Sequence, residues 1–279
     1  MSVNSITVGG VTIPQLGLGT FKLYDDECTA IVAEGLKLGY RHVDTAAKYE
    51  NEAAVGEGIR AGGLAREDIF LTTKVWYDQI ADGALQASAE ASLARLKMDY
   101  VDLLLIHWPS ADVPVAEAVR ALNDVKARGL TRAIGISNFP TALIEEAVAV
   151  SEAPLATNQV EYHPFIDQSA VMAALAKHDM ALTAYCPLAR GRILDDPVIG
   201  AIAARMGVTP SAVTLAWLLG QERVIAIPKT SNLSRLADNF AAASLTLSPD
   251  DRAAIDALAE PGGRLVDPAW APQWDVEAA

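Results

Sequence analysis

The chain has 279 residues, with 22 Lys and Arg against 35 Asp and Glu, for a formal charge of −13. Hydrophobic residues make up 51% and charged ones 20%, which supplies a core and excludes a disordered chain. The acidic balance excludes nucleic acid and anionic membrane as general partners, since both are held by basic footprints. Any anionic ligand then needs a local cluster of cations. Cys28 and Cys186 give no disulfide framework, and the histidines at 42, 107, 163 and 178 have no metal-ligand spacing. No run approaches the roughly 18 apolar residues of a membrane span, and Met1-Ser2-Val3-Asn4 does not begin a secretory signal. The expectation is a cytoplasmic protein in a reducing compartment.

Ile6-Thr7-Val8 and Val11-Thr12-Ile13 alternate around Gly9-Gly10, which predicts a small hairpin. A weak strand pattern follows at 16–20, then helical spacing over 25–38 that Gly39 ends. Strands are predicted at 41–45 and 69–75, a helix over 81–96, and a strand at 101–107. Gly129 marks another helix end, before strands at 132–136 and 157–161 with a helix over 141–150 between them. Asp167 starts a helix over 169–178, and a strand at 181–185 follows. Thr209-Pro210 opens a helix at 211–220, the eighth strand lies at 224–228, and Ser248-Pro249 opens a last helix at 250–259. Strand and helix alternating around eight strands predict an α/β chain that closes as one (β/α)8 barrel domain over 1–279. The tail from Pro261, with Trp270 and Trp274, leaves the pattern and is expected to wrap over one rim.

Such barrels carry their active sites at the C-terminal ends of the strands. There the sequence puts Asp44 and Tyr49, then Lys74 and Trp76, then His107 and Trp108. Ser137-Asn138, Gln159-Val160-Glu161, Tyr185-Cys186-Pro187 and Lys229-Thr230 complete the rim. Tyrosine, with a pKa of about 10, is a poor acid at neutral pH. A lysine cation beside it would lower that value, and an aspartate would hold the lysine charged. A neighbouring histidine could hydrogen-bond a substrate carbonyl, so the set suits protonation of an alkoxide formed by hydride from a bound cofactor. Each member also has a plain reading: Asp44 with Lys74 as a structural ion pair, Tyr49 as packing, His107 as a core histidine. Their joint placement favours the chemistry.

Other motifs are incomplete. Gly17-Leu18-Gly19-Thr20-Phe21-Lys22 lacks the third glycine of a dinucleotide fingerprint, and Gly135-Ile136-Ser137-Asn138-Phe139 lacks the last glycine of a nucleophile elbow. Glu161-Tyr162-His163-Pro164 has acid and base side by side, but neighbours on an extended chain point apart. Cys186 reads as a small buried residue rather than a nucleophile.

Taken together, the rim residues lie in a resemblance. Gly39-Tyr40-Arg41-His42-Val43-Asp44-Thr45-Ala46 with Tyr49, Thr73-Lys74-Val75-Trp76 and Ile106-His107-Trp108-Pro109 resemble aldo-keto reductase signatures. Ile134 to Phe139, Asn158-Gln159-Val160-Glu161-Tyr162-His163-Pro164 and Ile227-Pro228-Lys229 follow in the family's order. The resemblance runs from about residue 12 to about residue 260, and looks closest to bacterial 2,5-diketo-D-gluconate reductase-like members. It implies NADPH-dependent reduction of aldehydes and ketones, 2,5-diketo-D-gluconate among them. Tyr49 would be the general acid, Lys74 and Asp44 its tuning pair, and His107 the group that orients the carbonyl.

For NADPH, with NADH the weaker partner, the resemblance implies a cofactor site of Gly19, Thr20, Phe21, Asp44, Ser137, Asn138 and Gln159. Tyr185 would stack on the nicotinamide, and Pro187, Leu188 and Gly191 would cover the pyrophosphate. Lys229, Thr230 and Ser231 would take the 2′-phosphate, with Arg235 and Asn239 at the adenine. Phe21, Tyr49, Trp76, His107, Trp108 and Trp270 would line the pocket of a small carbonyl substrate, and the chain would act as a monomer without a metal. The sequence departs from the family at Glu50, where glycine is common, at Cys186, where serine is usual, and at Ser231-Asn232, where relatives often carry a basic residue. A second reading is a cofactor-bound binding module resembling the barrel β-subunits of potassium channels. A third is a structural, lens-type protein. The intact four-residue core favours an enzyme over both.

Overall fold

The structure is a computed structural model that describes residues 3–275. The outermost residues of the domain expected over 1–279, 1–2 and 276–279, lie outside the described residues. Ser5–Val8 (β1) and Val11–Pro14 (β2) pair antiparallel, with Val8 opposite Val11 across Gly9-Gly10. Both glycines take positive φ, 53° and 77°, as a two-residue hairpin turn requires. The hairpin buries Val8 and Ile13 against inward side chains such as Phe70, Leu103, Leu105 and Ile225, which closes the N-terminal end of the barrel.

The barrel follows as Leu18–Gly19 (β3), Asp25–Leu38 (α1), His42–Asp44 (β4), Glu52–Gly62 (α2), Phe70–Val75 (β5), Ala84–Leu96 (α3) and Val101–Ile106 (β6). It continues through Val115–Ala127 (α4), Thr131–Ser137 (β7), Thr141–Val150 (α5), Leu155–Glu161 (β8), Ser169–Lys177 (α6) and Ala181–Tyr185 (β9). Pro197–Met206 (α7), Pro210–Leu219 (α8), Val224–Ala226 (β10), Leu233–Ala241 (α9) and Pro249–Asp256 (α10) complete it. Eight parallel strands run in the order β10-β9-β8-β7-β6-β5-β4-β3. A parallel bridge from Leu16 to Ala226, with backbone bonds from Gly17 to Ala226 and from Gly19 to Pro228, joins the two edges. The result is the (β/α)8 barrel expected from the strand count, with its apolar residues between strands and helices.

Strand ends differ from the pattern in instructive ways. β10 is three residues rather than 224–228, and Pro228 has no N–H with which to extend a ladder. The weak strand at 16–20 shrinks to Leu18–Gly19. Helix starts at Thr209 and Ser248 are capped as expected, through the amides of Ala212 and Asp251. The sequence pattern gave no bounds for α2, α7 and α9, and for α4 only the end that Gly129 marks. In α2 the reason is Gly56, Gly58 and Gly62, which lower helix propensity. A Cβ on Gly56 would fall 2.2 Å from the Leu96 carbonyl oxygen, and one on Gly58 2.7 Å from Val32. These glycines let α2 lie directly on α1 and α3.

Two predictions follow from this packing. Gly56→Ala must push α2 off a rigid backbone, so urea unfolding should show a loss of about 1–3 kcal/mol. His42 is buried on β4, with Nδ1 facing the Pro14 carbonyl at 3.2 Å and Nε2 facing the Thr72 hydroxyl at 3.2 Å. A carbonyl only accepts, so Nδ1 carries a proton. Burial lowers the His42 pKa below its usual 6.5, so the unfolded chain takes up the proton first as pH falls. Stability should therefore decline as pH drops through about 6.5 and below. His42→Gln should reduce that slope in unfolding titrations between pH 7 and pH 5.

Candidate active site

Four strand ends and one turn build the centre of the C-terminal rim. Lys74, the fifth residue of β5, is fully buried, and its Nζ donates to Asp44 Oδ1 at 2.6 Å and to the Thr45 carbonyl at 2.7 Å. The other oxygen of Asp44 accepts from Gln159 Nε2 at 2.8 Å. Parallel pairing of β4 with β5 brings the ends of these strands together, Asp44 opposite Thr72. Tyr49 stands on a 3-10 turn, Ala47–Tyr49, and its hydroxyl lies 3.4 Å from Lys74 Nζ. His107, just past β6, packs edge-on to the Tyr49 and Trp76 rings with centroids 5.6 and 5.0 Å away. Its Nδ1 is buried with no hydrogen-bond partner among the described residues.

The electrostatics correct one expectation. Lys74 was expected to lower the Tyr49 pKa, yet the phenol is held well above the usual tyrosine value. Burial is the main cause, and the charge on Asp44 adds to it. The lysine charge is committed to Asp44 and the Thr45 carbonyl at short range, which leaves only a long contact for the phenol. Tyr49 is thus kept as a proton-bearing acid. Burial also lowers the Lys74 pKa, against the opposing pull of Asp44. His107 is driven well below 6.5 by burial and by the Lys74 charge, so it is neutral at pH 7. The centre holds one protonated phenol and one neutral imidazole around a buried ion pair.

The residues expected at the cofactor form a connected network beside this centre. Ser137 Oγ donates to the Gln159 carbonyl at 2.7 Å. Asn138, at φ 63°, donates to the His107 carbonyl at 3.0 Å and accepts from the Tyr185 hydroxyl at 2.8 Å. Thr20 is fully buried, and its hydroxyl donates to the Asp44 carbonyl at 3.0 Å. Gly19 lies so close to Ile227 that a Cβ would meet its carbonyl oxygen at 2.7 Å. After β9, buried Pro187 and half-buried Leu188 lead into a 3-10 turn broken at Arg190 and Gly191.

Farther out, Lys229, Ser231 and Arg235 are exposed around the start of α9, while the Thr230 hydroxyl accepts from the Asn232 amide at 3.1 Å. Neither Lys229 nor Arg235 makes an ion pair among the described residues. Asn239 is only 3% exposed, yet its side chain makes no hydrogen bond among the described residues. An unspent amide and a cation on α9, with a second exposed cation just before it, are a donor set that fits an adenine nucleotide carrying a phosphate.

The aromatic side chains expected at the substrate do gather over the centre. Phe21, 52% exposed, packs on Tyr49 with centroids 5.1 Å apart. Trp270 meets Trp76 at 5.6 Å, Trp108 at 5.1 Å and Tyr77 in a stack at 4.5 Å. The tail thus crosses the rim as expected.

Supporting residues were missed. Asn51 and Glu52 are buried at the start of α2, a helix for which the sequence pattern gave no bounds. Asn51 accepts from the Thr45 hydroxyl at 2.8 Å and donates to the Thr20 and Leu23 carbonyls. Glu52 accepts from Thr73 at 2.5 Å and pairs with Arg95 at 2.6 Å. The only signal was their place directly after Tyr49.

Known proteins share this arrangement. The aldo/keto reductase family profile matches residues 15–260. Methylglyoxal reductase DkgB of Escherichia coli O157:H7 is 44% identical over 269 residues, 95% of this chain and all of the relative. A crystal structure assigned as 2,5-diketo-D-gluconic acid reductase B superposes with a TM-score of 0.96 at 47% identity, covering 98% of each chain. A Gox0644 variant in complex with NADPH gives a TM-score of 0.89 at 35% identity, covering 96% of this chain and 97% of the other. With the barrel, the site and these matches in agreement, the chain belongs to the aldo/keto reductase family.

Proposed function

We propose that the protein reduces aldehydes and ketones to alcohols with NADPH, and that Tyr49 is the proton donor. The observation that carries this is the Tyr49 phenol, kept protonated beside the buried Lys74–Asp44 pair and the neutral His107. When bound, the cofactor supplies the hydride. The chain's own residues supply the rest. Neutral His107 has an N–H to offer a substrate carbonyl oxygen, which fixes its direction and polarises it. Tyr49 gives its proton to that oxygen as negative charge develops there, with Lys74 beside the phenolate that forms. Asp44 holds Lys74 charged and aimed. Phe21, Trp76, Trp108 and Trp270 exclude water and favour substrates with an apolar side.

Gly19, Thr20, Phe21, Ser137, Asn138, Gln159 and Tyr185 would hold and orient the nicotinamide end, and Pro187, Leu188 and Gly191 would cover the pyrophosphate. Lys229, Thr230, Ser231, Arg235 and Asn239 would bind the adenosine 2′-phosphate end, which favours NADPH over NADH because a bare ribose leaves the cations without a partner. Small dicarbonyls of the kind named for its relatives, methylglyoxal and 2,5-diketo-D-gluconate, are within this reading. Every group it invokes comes from one chain, so a monomer in the cytoplasm suffices, and both cysteines are free. No single helix among the described residues is long and apolar enough to cross a membrane. The binding-module reading is disfavoured, because relatives that match over their whole length are named reductases.

Tyr49→Phe removes only the acid. It should lower kcat for aldehyde reduction by about 10²- to 10⁴-fold while NADPH still binds in a fluorescence titration. A variant that keeps wild-type turnover would overturn the assignment. Lys229→Met should weaken NADPH binding by about tenfold and leave NADH binding nearly unchanged. Equal loss for both cofactors would argue against a 2′-phosphate contact.

A further inference from the structure

The Glu161–His163 pair, suggestive of acid and base chemistry in the sequence, has another task in the fold. Glu161 ends β8 and is fully buried. His163 lies two residues on, the spacing that puts both side chains on one face of an extended chain, and its Nε2 comes to 2.9 Å from Oε1. The same carboxylate accepts two consecutive amides of the C-terminal tail, Leu265 N–H at 2.7 Å on Oε1 and Val266 N–H at 2.8 Å on Oε2. Just before them, Gly263 lies so close to the barrel that a Cβ would collide with the Phe165 carbonyl. The far end of the tail has its own clamp. Asp275 accepts from the Thr141 amide at 3.0 Å and from its hydroxyl at 2.5 Å, at the first residue of α5.

Between the clamps the tail contains no helix or strand, so no backbone ladder holds it. Trp270 lies in this span and touches Trp76, Tyr77 and Trp108. Within the span Trp274 Nε1 donates to Asp267 at 2.8 Å and its ring packs on Trp108, and the two carboxylates hold the chain on either side, so the place of Trp270 over the pocket depends on them together with these contacts. Both ties are charge-assisted bonds to a carboxylate, and Glu161 is the more buried of the two carboxylates.

We propose that Glu161 is a positioning residue for substrate selection. Its carboxylate fixes the tail so that Trp270 completes the aromatic wall, and through Trp270 it sets the affinity for planar, apolar carbonyl compounds over small ones. It takes no part in the proton transfer from Tyr49. The inference rests on reading the Tyr49 pocket as a carbonyl-reducing site.

The test compares benzaldehyde with propionaldehyde in wild type, Glu161→Gln, Trp270→Ala and the double variant, each as the full chain with NADPH. Glu161→Gln places an amide donor against one of the tail N–H groups. It should raise KM for benzaldehyde about tenfold, with kcat for both aldehydes and KM for propionaldehyde nearly unchanged. In the Trp270→Ala background the same substitution should have no further effect, since both act through one contact. Asp275→Ala, which loosens the outer clamp without a buried change, should shift KM the same way and keeps the test open if Glu161→Gln does not fold. An equal fall in kcat for both aldehydes, or effects that add in the double variant, would overturn the proposal. Acrylamide quenching of tryptophan fluorescence separates the two readings. If wild type reduces neither aldehyde, the reductase reading fails, while the clamp still stands or falls on whether Glu161→Gln increases quenching in a Trp270-dependent way.

Discussion

The buried contact between Lys74 and Asp44 is the constraint around which the site is arranged. Enclosing a full positive charge in the barrel rim carries a large desolvation penalty, which a single counter-ion offsets only with good geometry and further hydrogen bonds. Here both oxygens of Asp44 are used, one by Lys74 and one by Gln159, and Lys74 also donates to the Thr45 carbonyl. The pair therefore ties β4, β5 and β8 together at the rim. It also sets the charge state of its neighbours. Lys74 helps keep His107 neutral, and Asp44 helps keep Tyr49 protonated. One ion pair thus favours a proton donor and a neutral hydrogen-bond donor side by side.

Behind that pair, a second layer fixes its position. Asn51 joins Thr45 to the carbonyls of Thr20 and Leu23, and Glu52 joins Thr73, the neighbour of Lys74, to Arg95. Both residues begin α2, whose seating depends on the glycines that let it touch α1 and α3. Helix packing on the outside of the barrel is thereby transmitted to the reactive rim. A change that moves α2 would also disturb the hydrogen bonds that aim Asp44 and Lys74.

Chemistry and selection rest on different supports. The proton-handling groups sit on strand ends and a short turn, where the parallel ladder limits their movement. The aromatic wall over them is completed by a tail without regular structure, held by Glu161 and Asp275. Separate supports allow the wall to vary while the reactive centre stays fixed, the usual division between a rigid scaffold and its loops.

The sequence by itself determined the barrel, because eight β-branched runs alternating with helical stretches have few other ways to bury their apolar faces. It also placed Asp44, Tyr49, Lys74 and His107 at one rim, since strand ends can be read from periodicity. Helix α2 escaped notice because its glycines look like loop residues until the neighbours that require them are known. Asn51 and Glu52 were equally opaque, as a carboxylate or amide in a polar stretch looks solvated until the fold buries it, whereas Glu161 was visible at the rim but its partners in the tail were not. Only the tertiary structure decided that Tyr49 stays protonated rather than being drawn toward phenolate, and that Glu161 binds the tail rather than a substrate. Burial and hydrogen-bond partners fix both outcomes, and those come from tail residues 104 and 105 positions away in the chain for Glu161 and from the folded rim for Tyr49.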